Sequence, residues 1–488
     1  MSTTETKTIA PDTLDPRTAR ARRRVRRRGR KRGEPGVALL LVLTSVALLY
    51  VLAQQSRDEV EVYSTAAAAS RDQVIAFYQA KSMVNLSRLL LHAEPTIRRG
   101  LTPVLAPLLA IMGRGLTVPQ IPVWEQADLL LGMFRNRESG SEFGQAVGVN
   151  FAAARGLGAL GGAQPPLIVD EDAKININGF DRGPHIQRRV AQALLGLFAN
   201  PSLDPYFTTR DPDGQFTDRV TLIASVIDYG DNDLNTMDVQ SLVSNTVTGQ
   251  SAGAPEDTFY GSLHPPYQRR NAPFDSVDEL HMVRGLSDDD LWHALIDPNP
   301  GNPRRRTVTV WGQGAVNVNT ANAQTLLALI CAFQNPATPA PQCTDPSSAM
   351  QFMTGITMVQ AFTVSMGIPL FSNARGFVDT IQGRPPMGPM LTALGVQPFA
   401  VTGPQLEQSV TTESKVFSIY SEASVGNAHV RIHAVVDMRA QPPIPGTFFP
   451  QVQGGREQAQ TTATVATTQG TPATVSSAGG TIIYWREE

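Results

Sequence analysis

An arginine-dense leader, Arg22-Arg23-Arg24-Val25-Arg26-Arg27-Arg28-Gly29-Arg30-Lys31-Arg32, runs into Gly36 and then into an apolar stretch from Val37 to Ala53. No charged side chain interrupts Gly36 to Ser56, 21 residues in all. At about 1.5 Å rise per residue, a helix of that length crosses a hydrocarbon core of roughly 30 Å. The basic flank predicts a single pass over residues 37–56, with the N-terminus in the cytoplasm and everything after Asp58 on the far side. A cleaved secretory signal pairs the same two features, but its apolar core is about 7 to 15 residues long and ends in a small-residue site. Here the run is longer, Ala53-Gln54-Gln55 makes a poor cleavage site, and the chain continues in a helical pattern. Val60, Tyr63, Ala67, Val74, Phe77, Tyr78, Val84, Leu86, Leu89 and Leu90 recur at helical spacing, with neither Gly nor Pro between Val37 and Glu94. One helix over 37–95, half in lipid and half beyond it, is the expectation.

Charge is distributed unevenly. Residues 1–36 hold 12 Lys and Arg against 4 Asp and Glu, within a chain of formal net charge −2. The part beyond the leader is therefore acidic. The leader reads as a topology determinant and an anionic-lipid contact rather than a nucleic-acid arm, and the acidic body suits divalent cations better than phosphates. With 42% hydrophobic residues among 488, the chain can build ordinary cores. Its only cysteines, Cys331 and Cys343, lie in a Pro-rich stretch. An oxidising compartment permits them to pair. Two unpaired thiols are the alternative, because a bridge needs a Cα separation that sequence does not give.

Beyond Pro95 the chain falls into blocks. Residues 96–180 are mixed, with Pro103, Pro107, Pro119 and Pro122, then Gly156-Leu-Gly158-Ala-Leu-Gly161-Gly162. That stretch matches G-x-G-x-x-G, yet Pro165-Pro166 and the strand-like Leu167-Ile168-Val169 follow where a dinucleotide site needs a helix N-terminus. A turn is the better reading. Residues 181–400 are expected to form a helical domain, with helices at 190–198, 220–227, 277–284 and 325–330 separated by Pro, Gly, Asn and Asp. Residues 416–425 and 429–436 alternate apolar and polar around Gly426-Asn427, a hairpin signal. Residues 452–480 are rich in Thr, Gln, Ala and Gly and are predicted to be disordered. The segments 411–440 and 481–488 are assigned to one sheet.

Gly36 followed by Val-Ala-Leu-Leu-Leu-Val-Leu resembles the type IV prepilin signal. In that class a dedicated peptidase cuts after the glycine, here between Gly36 and Val37, and the apolar run is retained. A glutamate normally stands fifth after the cut. Leu41 stands there instead, and with the Val-Ala-Leu start the segment is similar to the K-type minor pseudopilin of the type II secretion system. Val169-Asp-Glu-Asp-Ala-Lys-Ile-Asn-Ile-Asn178 and Gly314-Ala-Val-Asn-Val-Asn-Thr320 resemble elements of that family. Between them Ile227-Asp-Tyr-Gly-Asp-Asn-Asp233, Gly253-Ala-Pro-Glu-Asp-Thr-Phe-Tyr260, Arg270-Asn-Ala-Pro-Phe-Asp-Ser-Val-Asp-Glu-Leu280 and Val283-Arg-Gly-Leu286 follow its order. Tyr229-Gly230 replaces the family's Trp and its neighbour, and Pro255 interrupts a Gly-Ala-Glu run.

The resemblance implies an α+β fold: a long N-terminal transmembrane, pilin-like helix and a small antiparallel sheet, with a large inserted α-helical domain. It implies a non-enzymatic subunit of the inner membrane whose bulk is periplasmic, sitting at the tip of a pseudopilus. Other minor pseudopilins, of I and J type, the prepilin peptidase and the inner-membrane assembly platform are the implied partners. Leu41 marks the tip position, since a buried carboxylate in lipid needs a neighbour to pair with and leucine does not. Calcium is implied as well. Asp228, Asp231, Asp233, Glu256 and Asp257 cluster after a helix-like segment, and Ca²⁺ takes six to eight hard oxygen ligands. Solvated acidic loops are the alternative. Asp231-x-Asp233-x-Asn235 mimics the start of an EF-hand loop, but Thr236 and Leu242 stand where its glycine and glutamate belong.

Two other function classes remain as alternatives. An anchored hydrolase lacks support, since the seven histidines are scattered and neither H-E-x-x-H nor a P-loop occurs. Val316-Asn-Val-Asn-Thr-Ala-Asn-Ala-Gln-Thr-Leu also resembles the opening of membrane-anchored helix-hairpin-helix DNA-binding proteins. Met366-Gly-Ile-Pro lacks the second glycine of their phosphate-binding turn, and an acidic body opposes phosphate. Neither nucleic acid nor a small-molecule substrate is expected.

Overall fold

In the computed structural model the described residues are 35–111, 118–136, 158–178, 184–211, 214–232, 235–239, 250–255, 258–335, 337–366, 369–385, 387–439 and 480–488. The leader before Pro35 and residues 452–479 of the low-complexity segment lie outside them. The chain divides after Ala68 into two units. In the first, the described residues are helical, with Val37–Leu52 exposed along their length.

That stretch opens helix α1, Pro35–Ile111. Pro35 suits the first helical position, where its missing N–H is not needed. The helix does not stop at Pro95 as expected. An internal proline costs about 3 kcal/mol, but here its ring is exposed while Glu94 beside it is buried and tied down. The Ile121 N–H donates to Glu94 Oε1 at 3.0 Å, and Arg98 lies 3.4 Å from the same carboxylate and 2.8 Å from Glu413. Tertiary anchoring on both sides of the proline overrides the local preference.

Four antiparallel strands form the sheet: β1 (Leu167–Asp170), β6 (Val416–Val425), β7 (Ala428–Asp437) and β8 (Thr481–Glu487), ordered β1-β6-β7-β8. The β6–β7 register runs from Val416 opposite Asp437 to Val425 opposite Ala428, closed by Gly426-Asn427. Gly426 has φ +57°, which a two-residue hairpin turn requires at its first central position. One face of the sheet meets α1. Ala76, Ala80, Met83 and Val84 repeat at helical spacing and pack on Ile168, Phe417, Ile419, Ala423, Ile432 and Ala434, all buried. The small alanines let the helix lie close, and Ser421 Oγ donates to the Ala80 carbonyl at 2.9 Å.

Between β1 and β6 the chain builds the helical region. Its main helices are α3 (Pro184–Phe198), α4 (Arg219–Gly230), α5 (Ala323–Ala332) and α6 (Pro346–Met366), while α2 (Ala127–Arg135) precedes β1. Leu194, Phe198, Leu222, Ile223, Ile227, Leu326, Ile330 and Phe352 share one core. Gly196 carries the α3–α5 contact: a Cβ there would stand 2.0 Å from the Ala328 carbonyl. The helix expected over 277–284 is a 3-10 turn, Val277–Met282, begun by Ser276 and followed by Gly285 at φ +83°. Gly158–Gly162 forms turns leading to an Ala163–Ala423 bridge and then β1, not a helix. The observed fold is α+β, with a long apolar N-terminal helix, a small antiparallel sheet and a helical region set into the chain between its strands.

Candidate functional site

Where the helical region leaves and rejoins the sheet, two short parallel pairs form: β2 (Ile175–Asn176) with β3 (Val308–Thr309), and β4 (Val316–Asn317) with β5 (Val410–Thr411). Each contains an Asn-x-Asn element doing the same work. Asn176 Oδ1 accepts the Asn178 N–H at 2.9 Å, and Asn317 Oδ1 accepts the Asn319 N–H at 3.0 Å. The second asparagine then clamps a distant phenylalanine backbone. Asn178 exchanges both bonds with Phe274 (2.7 and 2.8 Å), and Asn319 does so with Phe371 (2.9 and 2.7 Å). An amide supplies a donor and an acceptor on one plane, which is why this position needs asparagine.

Beside these clamps lies a buried carboxylate turn, Asp170-Glu171-Asp172. Ser414 and Thr320 hydroxyls both donate to Asp170 Oδ2 at 2.5 Å, while Asp170 Oδ1 is buried without a hydrogen bond. Asp172 accepts the backbone N–H groups of Gln313 (2.6 Å), Lys415 (2.7 Å) and Val416 (3.1 Å). Lys174 Nζ sits 3.1 and 3.0 Å from the Glu171 oxygens, and Thr309 Oγ1 donates to Glu171 at 2.5 Å. Gly312, at φ +113°, comes so close that a Cβ would meet Asp172 Oδ1 at 2.9 Å. Burial, with the neighbouring Asp172 charge, pushes Asp170 up to about 7 against its two hydroxyl donors. Burial also raises Asp172, against three N–H donors. At Glu171, burial is outweighed by Lys174 and hydroxyl hydrogen bonds, which hold it below its ordinary value. The family-like motif at 169–178 gave no hint of partners so far along the chain.

The proposed cation loop begins at the end of α4. Asp228 is buried and its Oδ1 accepts the Met237 N–H at 2.8 Å. Asp231, also buried, lies 3.6 Å from Arg269, whose fully buried guanidinium donates to the Asp228 carbonyl. Asp233, Glu256 and Asp257 lie outside the described residues. Among the described residues no group of three or more His, Cys, Asp or Glu side chains converges as a metal site. Cys331 and Cys343 are joined, with sulfurs 1.98 Å apart and Cα atoms 5.6 Å apart, tying the end of α5 to the turn at Pro341–Thr344. Gly36 and Val37 lie in the first turn of α1, with Leu41 exposed one turn further on.

The expectation that the chain lacks a G-x-S-x-G motif is corrected by its own residues. Gly249-Gln-Ser-Ala-Gly253 has G-x-S-x-G spacing. A nucleophile elbow places its serine at a strand-to-helix turn, whereas Ser251 is the second residue of a strand, Gln250–Pro255, paired with Asn235–Met237.

These features define a class: an α+β protein with a helix long and apolar enough to cross a membrane and a body braced by buried polar clamps. No family model matches the sequence, and no curated protein matches it. Among solved structures the chain is similar to one in the GspK-GspI-GspJ complex from the type 2 secretion system of enterotoxigenic Escherichia coli. The similarity is at 16% identity and a TM-score of 0.34, covering 57% of this chain and 75% of that one.

Proposed function

We propose that this protein is a K-type minor pseudopilin, placed at the tip of a type II secretion pseudopilus and initiating the fibre that moves folded proteins across the outer membrane. One observation carries the reading. Helix α1 presents uncharged apolar surface from Val37 to Leu52, with leucine at position 41, and beyond it leaves Tyr78 61% and Leu89 60% exposed while the opposite face packs on the sheet. Such surface in water or lipid is a place for other helices to pack. I- and J-type minor pseudopilins are the proposed occupants. The prepilin peptidase would cut between Gly36 and Val37, releasing the basic cytoplasmic leader, and the inner-membrane assembly platform would receive the processed subunit. The body is then periplasmic, where the Cys331–Cys343 bridge is stable.

The role is structural rather than catalytic. A calcium requirement belongs to this proposal on the family resemblance alone. Asp228 and Asp231 supply hard oxygens at one helix end, and Arg269 already balances part of their charge. Calorimetric titration of the detergent-solubilised chain with Ca²⁺ tests it, and an absence of both binding heat and a melting shift removes calcium from the account. The central test is co-purification with I- and J-type minor pseudopilins in Ca²⁺-containing buffer. Stable association is expected; failure to associate overturns the assignment.

A further inference from the structure

We propose that the Asp170-Glu171-Asp172 turn is a protonation-dependent clasp holding the helical region to the sheet, closed in acid solution and progressively loosened as pH rises towards neutrality. The geometry carries it. The turn follows directly on β1, and its partners come from both points where the helical region meets the sheet: Thr309, Gln313 and Thr320 on one side, Ser414, Lys415 and Val416 on the other. Three carboxylates in succession are buried with one lysine among them. Glu171 and Lys174 satisfy each other. That leaves Asp170 and Asp172 as two like charges in one dry turn, and Asp170 Oδ1 has no donor to receive. A proton on Asp170 removes the repulsion and leaves Oδ2 accepting from Ser414 and Thr320; its loss puts an uncompensated charge at the joint.

Most other charges near the joint do not supply this response; the exceptions are Glu94 of α1 and Glu125 before α2, which burial raises as it does Asp170. Lys415 pairs with Glu413, which Arg98 of α1 also holds. Arg439 pairs with Asp437 at the end of β7. Arg304 donates to the Ile168 carbonyl of β1. His433 of β7, stacked on Tyr420, is pushed down to about 4 by burial and stays neutral throughout the range concerned. Glu94 and Glu125 respond with the same sign as Asp170, so a variant at Asp170 itself must separate them. For a carboxyl raised on folding, stability is fullest below its free value of 3.8 and is lost as pH climbs towards about 7.

Hydrogen exchange on the full chain in detergent tests the clasp through the amides of Gln313, Lys415 and Val416. After correction for intrinsic exchange, their protection is expected to fall roughly tenfold between pH 5.5 and 7.5, the scale set by one linked proton. In Asp170→Asn, which keeps an acceptor for both hydroxyls, the fall should be at least halved, the remainder coming from Asp172, which burial also raises. In Ser414→Ala, which removes a donor to the ionised form, the fall should move to higher pH. A level profile in the unaltered protein, or the same fall in Asp170→Asn, overturns the proposal. Should Asp170→Asn fail to fold, an unshifted fall in Ser414→Ala overturns it equally.

Discussion

Lys174 and Glu171 are 3% and 2% exposed as side chains, a pair that neither water nor other ions reach. Removing one member of such a pair strands the other. Lys174→Met is expected to cost about 3–5 kcal/mol, read from denaturant unfolding of the detergent-solubilised protein. Gly196→Ala is a steric test of the same interior: with the Ala328 carbonyl 2.0 Å from the new Cβ, α3 and α5 must separate, at about 1–3 kcal/mol by the same measurement. Both segments that hold an Asn-x-Asn element, 169–178 and 314–320, stood out in the sequence as family-like. Their targets did not, because Phe274 lies 96 residues from Asn178 and Ser414 lies 244 from Asp170, separations that no local pattern encodes.

Among the elements, those governed by periodicity or turn chemistry were readable. The 416–436 hairpin and the helices at 190–198, 220–227 and 325–330 stand where alternation and helical spacing place them. The end of α1 was not, because Glu94 draws its stability from Ile121 and Arg98 draws part of its own from Glu413. Severing that support tests the explanation. Glu94→Ala should fray α1 beyond Pro95 and raise amide exchange from Thr96 onward, with little change at Ala76–Val84. The disulfide closes a short segment, Cys331 to Cys343, twelve apart in sequence. Replacing both cysteines by serine is expected to lower stability by about 3 kcal/mol, a loss matched by reducing the unaltered protein with dithiothreitol.

For the whole molecule, the consequence of the pseudopilin reading lies on α1. Tyr78→Asp together with Leu89→Asp puts charge on an exposed face, so melting should hardly move while co-purification with other minor pseudopilins falls at least tenfold. Equal recovery of partners would place the contact elsewhere. Leu41→Glu supplies the carboxylate that the proposed tip placement does without, and under that proposal is expected to permit incorporation along the fibre, seen by immunogold labelling away from its ends. Sequence by itself determined the apolar span, the charge asymmetry, the hairpin and the carboxylate-rich stretches, because each depends on neighbours within a few residues. Only the tertiary structure decided that α1 runs through Pro95, that Asp228 and Asp231 meet Arg269, and that Asp170 to Asp172 join the helical region to the sheet. Those outcomes depend on burial and on partners brought together by folding, which set the energy of a proline or a carboxylate far more strongly than its neighbours in the chain.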